Sequence, residues 1–190
     1  MHKKGFTLIE LLIAVTIVGV ITSIASINNS TFGNTIALSN IAYDIALDIR
    51  NAQILGTSVQ QDRFGNFSAG YGIYVNDTYE GYVSFGDTDE NSLYAGGAQC
   101  SQSNECISQN DLQRSVTIKR ICAYRGAQSY CSDKNEIDAL HITYVRPDPV
   151  ALITEDGVTF FDRAEIVLEQ VELGQERTIT ISKSGFVAVE

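Results

Sequence analysis

The sequence predicts an α+β protein in which one long N-terminal helix packs on an antiparallel β-sheet head. Three observations lead there. Residues 6–27 form an apolar run of 22 residues carrying one charge, Glu10. Beyond it, apolar residues recur at helical spacing. From Gly70 onward the apolar period falls to two, with turn residues between short runs. A chain of 190 residues supplies one modest core and an appendage, so a single head is expected.

The apolar run, FTLIELLIAVTIVGVITSIASI, matches the ~20 residues that cross a bilayer as a helix. Lys3 and Lys4 precede it, which keeps the N-terminus cytoplasmic and makes the head extracytoplasmic. A secretory signal peptide has a shorter apolar region, about 7 to 15 residues, and ends in a small-residue cleavage site. An ionised carboxylate inside a spanning helix costs on the order of 2.5–3.5 kcal/mol at mid-membrane, less near the interface. Glu10 therefore calls for a partner, unless it reaches back to the headgroups.

Residues 28–34 include Asn28, Asn29, Ser30, Gly33 and Asn34, all of which weaken a helix interior, so a helix break is expected there. Over 35–61 an amphipathic half follows. Ile41, Ile45, Ile49, Ala52, Leu55 and Val59 advance by threes and fours, forming one apolar stripe suited to cover a sheet. Residues 62–190 form the β-rich head, with strands expected at 71–75, 79–85, 116–122, 140–145, 165–171 and 178–182. Pro147 and Pro149 end the fourth of these, and another strand resumes at Val150. Lys183-Ser184-Gly185 turns a closing hairpin over 177–189.

Cys100, Cys106, Cys122 and Cys131 contain no CxxC pair, which makes zinc the minority reading and disulfides the default for an exported head. The short loops favour Cys100 with Cys106 and Cys122 with Cys131, while a crossed pairing stays open. The formal net charge is −10, and two positive charges fewer after loss of residues 1–5 leaves −12. Such a surface repels phosphate backbones, and Lys119, Arg120 and Arg125 read as a solvated face, so nucleic acid is not an expected partner.

Lys3-Lys4-Gly5-Phe6-Thr7-Leu8-Ile9-Glu10 resembles the prepilin signature of type IV pilins and type II secretion pseudopilins. That resemblance implies a pilin-like fold and a leader over residues 1–5. A prepilin peptidase would cut between Gly5 and Phe6, and Phe6 would be N-methylated. Glu10 then falls on the assembly glutamate, which in that family pairs with the terminal amine of a neighbouring subunit. Pairing removes the cost of two isolated buried charges and sets axial register. Many major pilins carry a proline about twenty residues into the mature helix; here the prolines are Pro147 and Pro149. The order of apolar helix, amphipathic helix, strands and terminal hairpin is similar to the GspH/FimT group of minor pilins and pseudopilins. Some members of that group bind DNA through basic residues near the C-terminus, whereas this chain ends Gly185-Phe186-Val187-Ala188-Val189-Glu190.

The implied function is a minor pilin or pseudopilin subunit, held in the cytoplasmic membrane and then assembled with other subunits into a surface filament. The alternatives are a membrane-tethered adhesin or substrate-binding module, or a competence-type pilin for DNA uptake. No cofactor is expected, with one exception. Asp87, Asp89 and Asn91 alternate as in the start of a calcium loop, and some pseudopilins are calcium-bound. Against calcium, Ser92 stands where an EF-hand needs glycine and Ala98 where it needs glutamate. His141 has no local nucleophile or orienting partner, and no phosphate loop, GxSxG or HExxH is present, so no enzyme is expected.

Overall fold

The structure, a computed structural model, describes residues 7–59, 69–78, 81–96, 100, 104–113 and 115–190; the side chains of 25–32 lie outside that description. Among these residues one α-helix, α1 (Leu8–Thr57), leads into eleven strands, with a short 3-10 turn at Ser132–Lys134. These are β1 (Gly70–Asn76), β2 (Gly81–Asp87), β3 (Cys106–Asp111), β4 (Val116–Arg125), β5 (Gln128–Cys131), β6 (Ala139–Tyr144), β7 (Ala151–Thr154), β8 (Phe160–Phe161), β9 (Arg163–Gln170), β10 (Gln175–Ser182) and β11 (Val187–Val189).

Thr7 caps α1: its side chain accepts a hydrogen bond from the Glu10 N–H, and the chain contains no proline before Pro147. The break expected over 28–34 is absent, since α1 runs through those residues without interruption. Each Asn, Ser or Gly costs under about 1 kcal/mol in a helix interior, and established turns on both sides carry the helix across. The helix ends at Thr57 and not at residue 61, because Ser58 turns extended while its N–H bonds back to the Ile54 and Leu55 carbonyls. Val59, expected in the stripe, is outside the helix and exposed. Residues 60–68, which include the expected start of the head, lie outside the described residues.

The strands form two antiparallel sheets, in the orders β3-β2-β1-β6-β7-β8 and β11-β10-β9-β4-β5. Alternation sets their faces. On β9, Ala164, Ile166 and Leu168 turn into the core, while Arg163, Glu165 and Glu169 are left at least partly open. The second half of α1 fills the space against both sheets, with Leu38, Ala42, Ile45, Ile49 and Ala52 packed among Ile73, Leu140, Ile142, Ile166, Ile179 and Ile181. Gly56 lets the helix approach the β6 backbone, because a Cβ there would strike the Tyr144 carbonyl. Polar bonds pin the helix along its length: Asn34 to Glu172 at 2.8 Å, Arg50 to the Val187 carbonyl at 3.0 Å and Gln53 to the Pro149 carbonyl at 2.9 Å.

The six strand segments and the resumption after Pro149 all fall on observed strands, though residues 79–80 lie outside the described residues. The closing hairpin is β10–β11, with Gly185 at φ +83° in its turn. β3, β5 and β8 were not expected. β3 reads Cys-Ile-Ser-Gln-Asn-Asp, a polar edge strand whose backbone pairing with β2 outweighs weak strand propensity.

Candidate functional site

Four places carry chemistry: the N-terminal turn, the flank of α1, an acidic loop and a small aromatic cluster. Gly5 and Phe6, the expected cleavage and methylation positions, lie outside the described residues. Glu10 sits in the first turn of α1, where one carboxylate oxygen accepts from the Thr7 N–H at 3.0 Å and from the Thr7 hydroxyl at 2.9 Å. This reciprocal capping box is written in the sequence as Thr7-x-x-Glu10, a signal distinct from the prepilin resemblance. Within one chain the carboxylate is thus held by the open end of its own helix, which favours negative charge.

Beyond the cap, the described side chains of α1 up to Ile24 are all exposed. Leu8, Leu11, Leu12, Val15, Val18 and Ile21 are all more than half exposed. The hydroxyls of Thr16, Thr22 and Ser23 bond back to carbonyls three or four residues earlier, so the polar groups on this apolar surface are satisfied internally. Among the described residues, no helix is long and apolar enough to cross a membrane. Phe6 and the side chains of 25–27, part of the expected span, are outside that description.

A second apolar stripe lies further along. Ile36, Tyr43, Leu47 and Ile54 are 43, 62, 57 and 64% exposed. At 3.6 residues per turn they fall within roughly 20° of one line, and that line is opposite the core face of Leu38, Ile45 and Ile49. Extended backward, it meets Val18 and Leu11. Unlike the core stripe, this one was not expected from the sequence, although its spacing of seven, four and seven residues is legible there.

The acidic loop follows β2. Asp87 is 1% exposed, and its two oxygens accept from the Asn91 and Ser92 N–H groups at 3.0 and 2.9 Å. Burial, reinforced by the neighbouring Asp89, pushes its carboxyl up to about 6 against the pull of those two N–H donors. Asp87 and Asp89 are brought together with Glu105, their oxygens lying within 4.8 Å of one another. Asn91, the third expected ligand, accepts from the Leu93 N–H through its side-chain oxygen at 2.6 Å. Glu105 was missed because it arrives from the start of β3, beyond the reach of a spacing argument. Its oxygens accept from the Thr88 and Ala95 N–H groups at 3.1 and 3.3 Å. These carboxylates organise the loop, and a hard cation favours the same oxygen-only set.

His141 is buried with Tyr74, Phe85 and Tyr94 under that loop. Its Nδ1 accepts from the Tyr94 N–H at 2.8 Å, and burial lowers its pKa to about 4, which keeps the ring neutral. A neutral ring in that setting braces the loop. Disulfides join Cys100 to Cys106 at the base of the loop and Cys122 to Cys131 across β4 and β5. Lys119, one of the three basic residues read as a solvated face, pairs with Glu169 and Glu176 at 2.9 and 2.7 Å.

Residues 1–26 match the family model of the prokaryotic N-terminal methylation motif. The motif marks the N-terminus of a type IV pilin-like protein, and a long helix on antiparallel sheets is an α+β pilin-like architecture. The chain therefore carries the signature of a subunit processed in the manner of type IV prepilins. No curated protein and no solved structure matches the chain.

Proposed function

We propose that this chain is a minor pilin or type II secretion pseudopilin, anchored in the cytoplasmic membrane, cut after Gly5, methylated on Phe6 and assembled into a filament through α1. The observation that carries the reading is the pair of apolar surfaces on α1: the open face of 8–24 and the collinear stripe of Ile36, Tyr43, Leu47 and Ile54. A helix serving as a mere tether has no use for the stripe, which lies outside any 6–27 span and faces away from the head. Neighbouring α1 helices cover it, and Ala14 and Gly19 permit close approach. On this reading the protein acts mechanically, with other pilin subunits and the prepilin peptidase as partners, and performs no catalysis.

Glu10 leaves its own cap to meet the terminal amine of the adjacent subunit, exchanging one set of donors for another. Glu10→Ala tests this: the protein stays in the membrane and disappears from sheared filaments, whereas undiminished incorporation overturns the reading. A calcium ion in the acidic loop is a further proposal, with Asp87, Asp89 and Glu105 as ligands in place of the set with Asn91. Its mark would be a melting temperature raised by millimolar calcium and restored by chelator in wild type but not in Glu105→Gln; an unmoved wild-type transition removes the ion.

A further inference from the structure

We infer that the groove between α1 and β3 receives the β10–β11 hairpin tip of a second copy of this chain. The inference rests on the filament reading and names a contact within it. The groove has a volume of ≈ 760 Å³ and runs between α1 from Gly33 to Ile45 and the end of β3. Ile36, Ile41 and Leu112 supply its apolar lining, and Asp44 and Asp111 its charge. It continues as a hollow of ≈ 280 Å³ beside Asp48, whose carboxylate accepts from the Tyr82 hydroxyl at 2.7 Å and ties helix to sheet. Among the described residues, no lysine or arginine lines either hollow.

The hairpin tip has the complementary chemistry. Phe186 is 64% exposed, Lys183 is exposed, and Lys183 makes no ion pair among the described residues. The tip is also held rigid. Gly185 donates to the Ser182 carbonyl at 2.9 Å, Lys183 N–H to the Asp162 carbonyl at 2.8 Å, and Ala151 N–H to the Lys183 carbonyl at 2.9 Å. An aromatic ring and an ammonium presented on a fixed turn lose little freedom on docking. Phe186 is placed to cover Ile36, Ile41 and Leu112, with the Lys183 ammonium against Asp44.

The two surfaces lie on opposite flanks of the exposed stripe. Counting around α1 from that stripe, Ala37, Ile41, Asp44 and Asp48 sit roughly 80–140° to one side, whereas Arg50 and Gln53, which face the hairpin region, sit roughly 40–100° to the other. A tip on one flank docking into a groove on the other flank of the next copy is heterologous, repeats without closing, and builds a fibre around stacked α1 helices. The strongly acidic chain gives the groove a cationic occupant by preference, and Lys183 with Phe186 brings one from the chain itself. A contact this small falls below the ~1,200 Å² of a free-standing interface, so it acts alongside helix packing, which supplies the effective concentration.

Charge exchange in cells that assemble the filament tests the inference. Lys183→Glu and Asp44→Lys each lower recovery in sheared filaments at least tenfold, and the double variant restores it to within about threefold of wild type. Unchanged single variants, or a double variant no better than its parents, overturn the inference. Both side chains are exposed, and an unshifted melting transition confirms folding. As a second readout, copies bearing Ile36→Cys and copies bearing Phe186→Cys cross-link in the filament when present together; no mixed dimer counts against the contact. If Glu10→Ala abolishes incorporation while these variants do not, the groove contact fails and the filament reading stands. If wild type is absent from sheared fibres, the filament reading itself fails.

Discussion

The two halves of α1 form one continuous helix and obey different rules. Residues 8–24 are apolar on every side and, among the described residues, pack on no other part of the chain, so that half is left to be stabilised from outside. The half from Asn34 to Thr57 has a core face sealed by two sheets and a second apolar stripe left open. A single helix thus joins a part stable by itself to a part that needs a surrounding. The stripe carries the unsatisfied character of the first half up the side of the head.

Cavity-forming substitutions separate the halves most sharply. Ile49 is fully buried, and Ile49→Ala should cost the head about 2–5 kcal/mol in denaturant unfolding. Leu12→Ala, at a position 55% exposed, should shift the same transition by no more than about 0.5 kcal/mol. Equal effects would show the two halves to be energetically coupled.

Titration also acts on the head alone. His141 has its pKa lowered by burial to about 4, so the unfolded chain binds the extra proton between pH 4 and 6.5; its stabilisation is full above pH 6.5 and is lost as pH falls through 4. Asp87 is raised to about 6, so the folded chain binds the extra proton; its stabilisation is full below pH 3.8 and is lost as pH rises through 6. The two oppose each other over pH 4–6. His141→Gln retains an acceptor for Tyr94 and does not titrate. Relative to wild type it should therefore gain on the order of 3 kcal/mol between pH 6.5 and 4, measured by melting at each pH. A parallel pH profile for the two proteins would remove His141 from the account.

Glycines give a contrast of sign. A Cβ on Gly56 would come within 2.8 Å of the Tyr144 carbonyl carbon, so Gly56→Ala should destabilise the head by about 1–3 kcal/mol. Gly19 has nothing within 4 Å, and Gly19→Ala should favour the helix by about 0.5–1 kcal/mol, read as helicity by circular dichroism in detergent. Thr7→Ala removes a cap worth about 1 kcal/mol; it should fray the first turn in hydrogen exchange and leave the melting of the head unmoved.

Much of this was legible because it is local. The apolar run, the 3.6-residue stripe through Ile45 and Ile49, the two-residue alternation of six strands and the turn at Gly185 each follow from neighbours in sequence. The failures share a cause. Asn28 to Asn34 argued for a break, yet the cost of weak residues is small beside cooperative propagation from both sides. β3 lacked strand propensity and is a strand through its pairing with β2. Glu105, seventeen residues past Thr88, stands with Asp87 and Asp89, and no template of local spacing reaches that far.

By itself the sequence determined the leader signature, the placement of Glu10, the helix of two characters and the antiparallel head, because each depends on chemistry within a few residues. It takes the packed structure to show that β3 leaves a groove against α1, that the hairpin tip stands on the other flank of the helix, and that Glu105 joins Asp87 and Asp89. Those juxtapositions arise from the packing of two sheets on one helix face, and distances across a packed core are not encoded in any short stretch of chain.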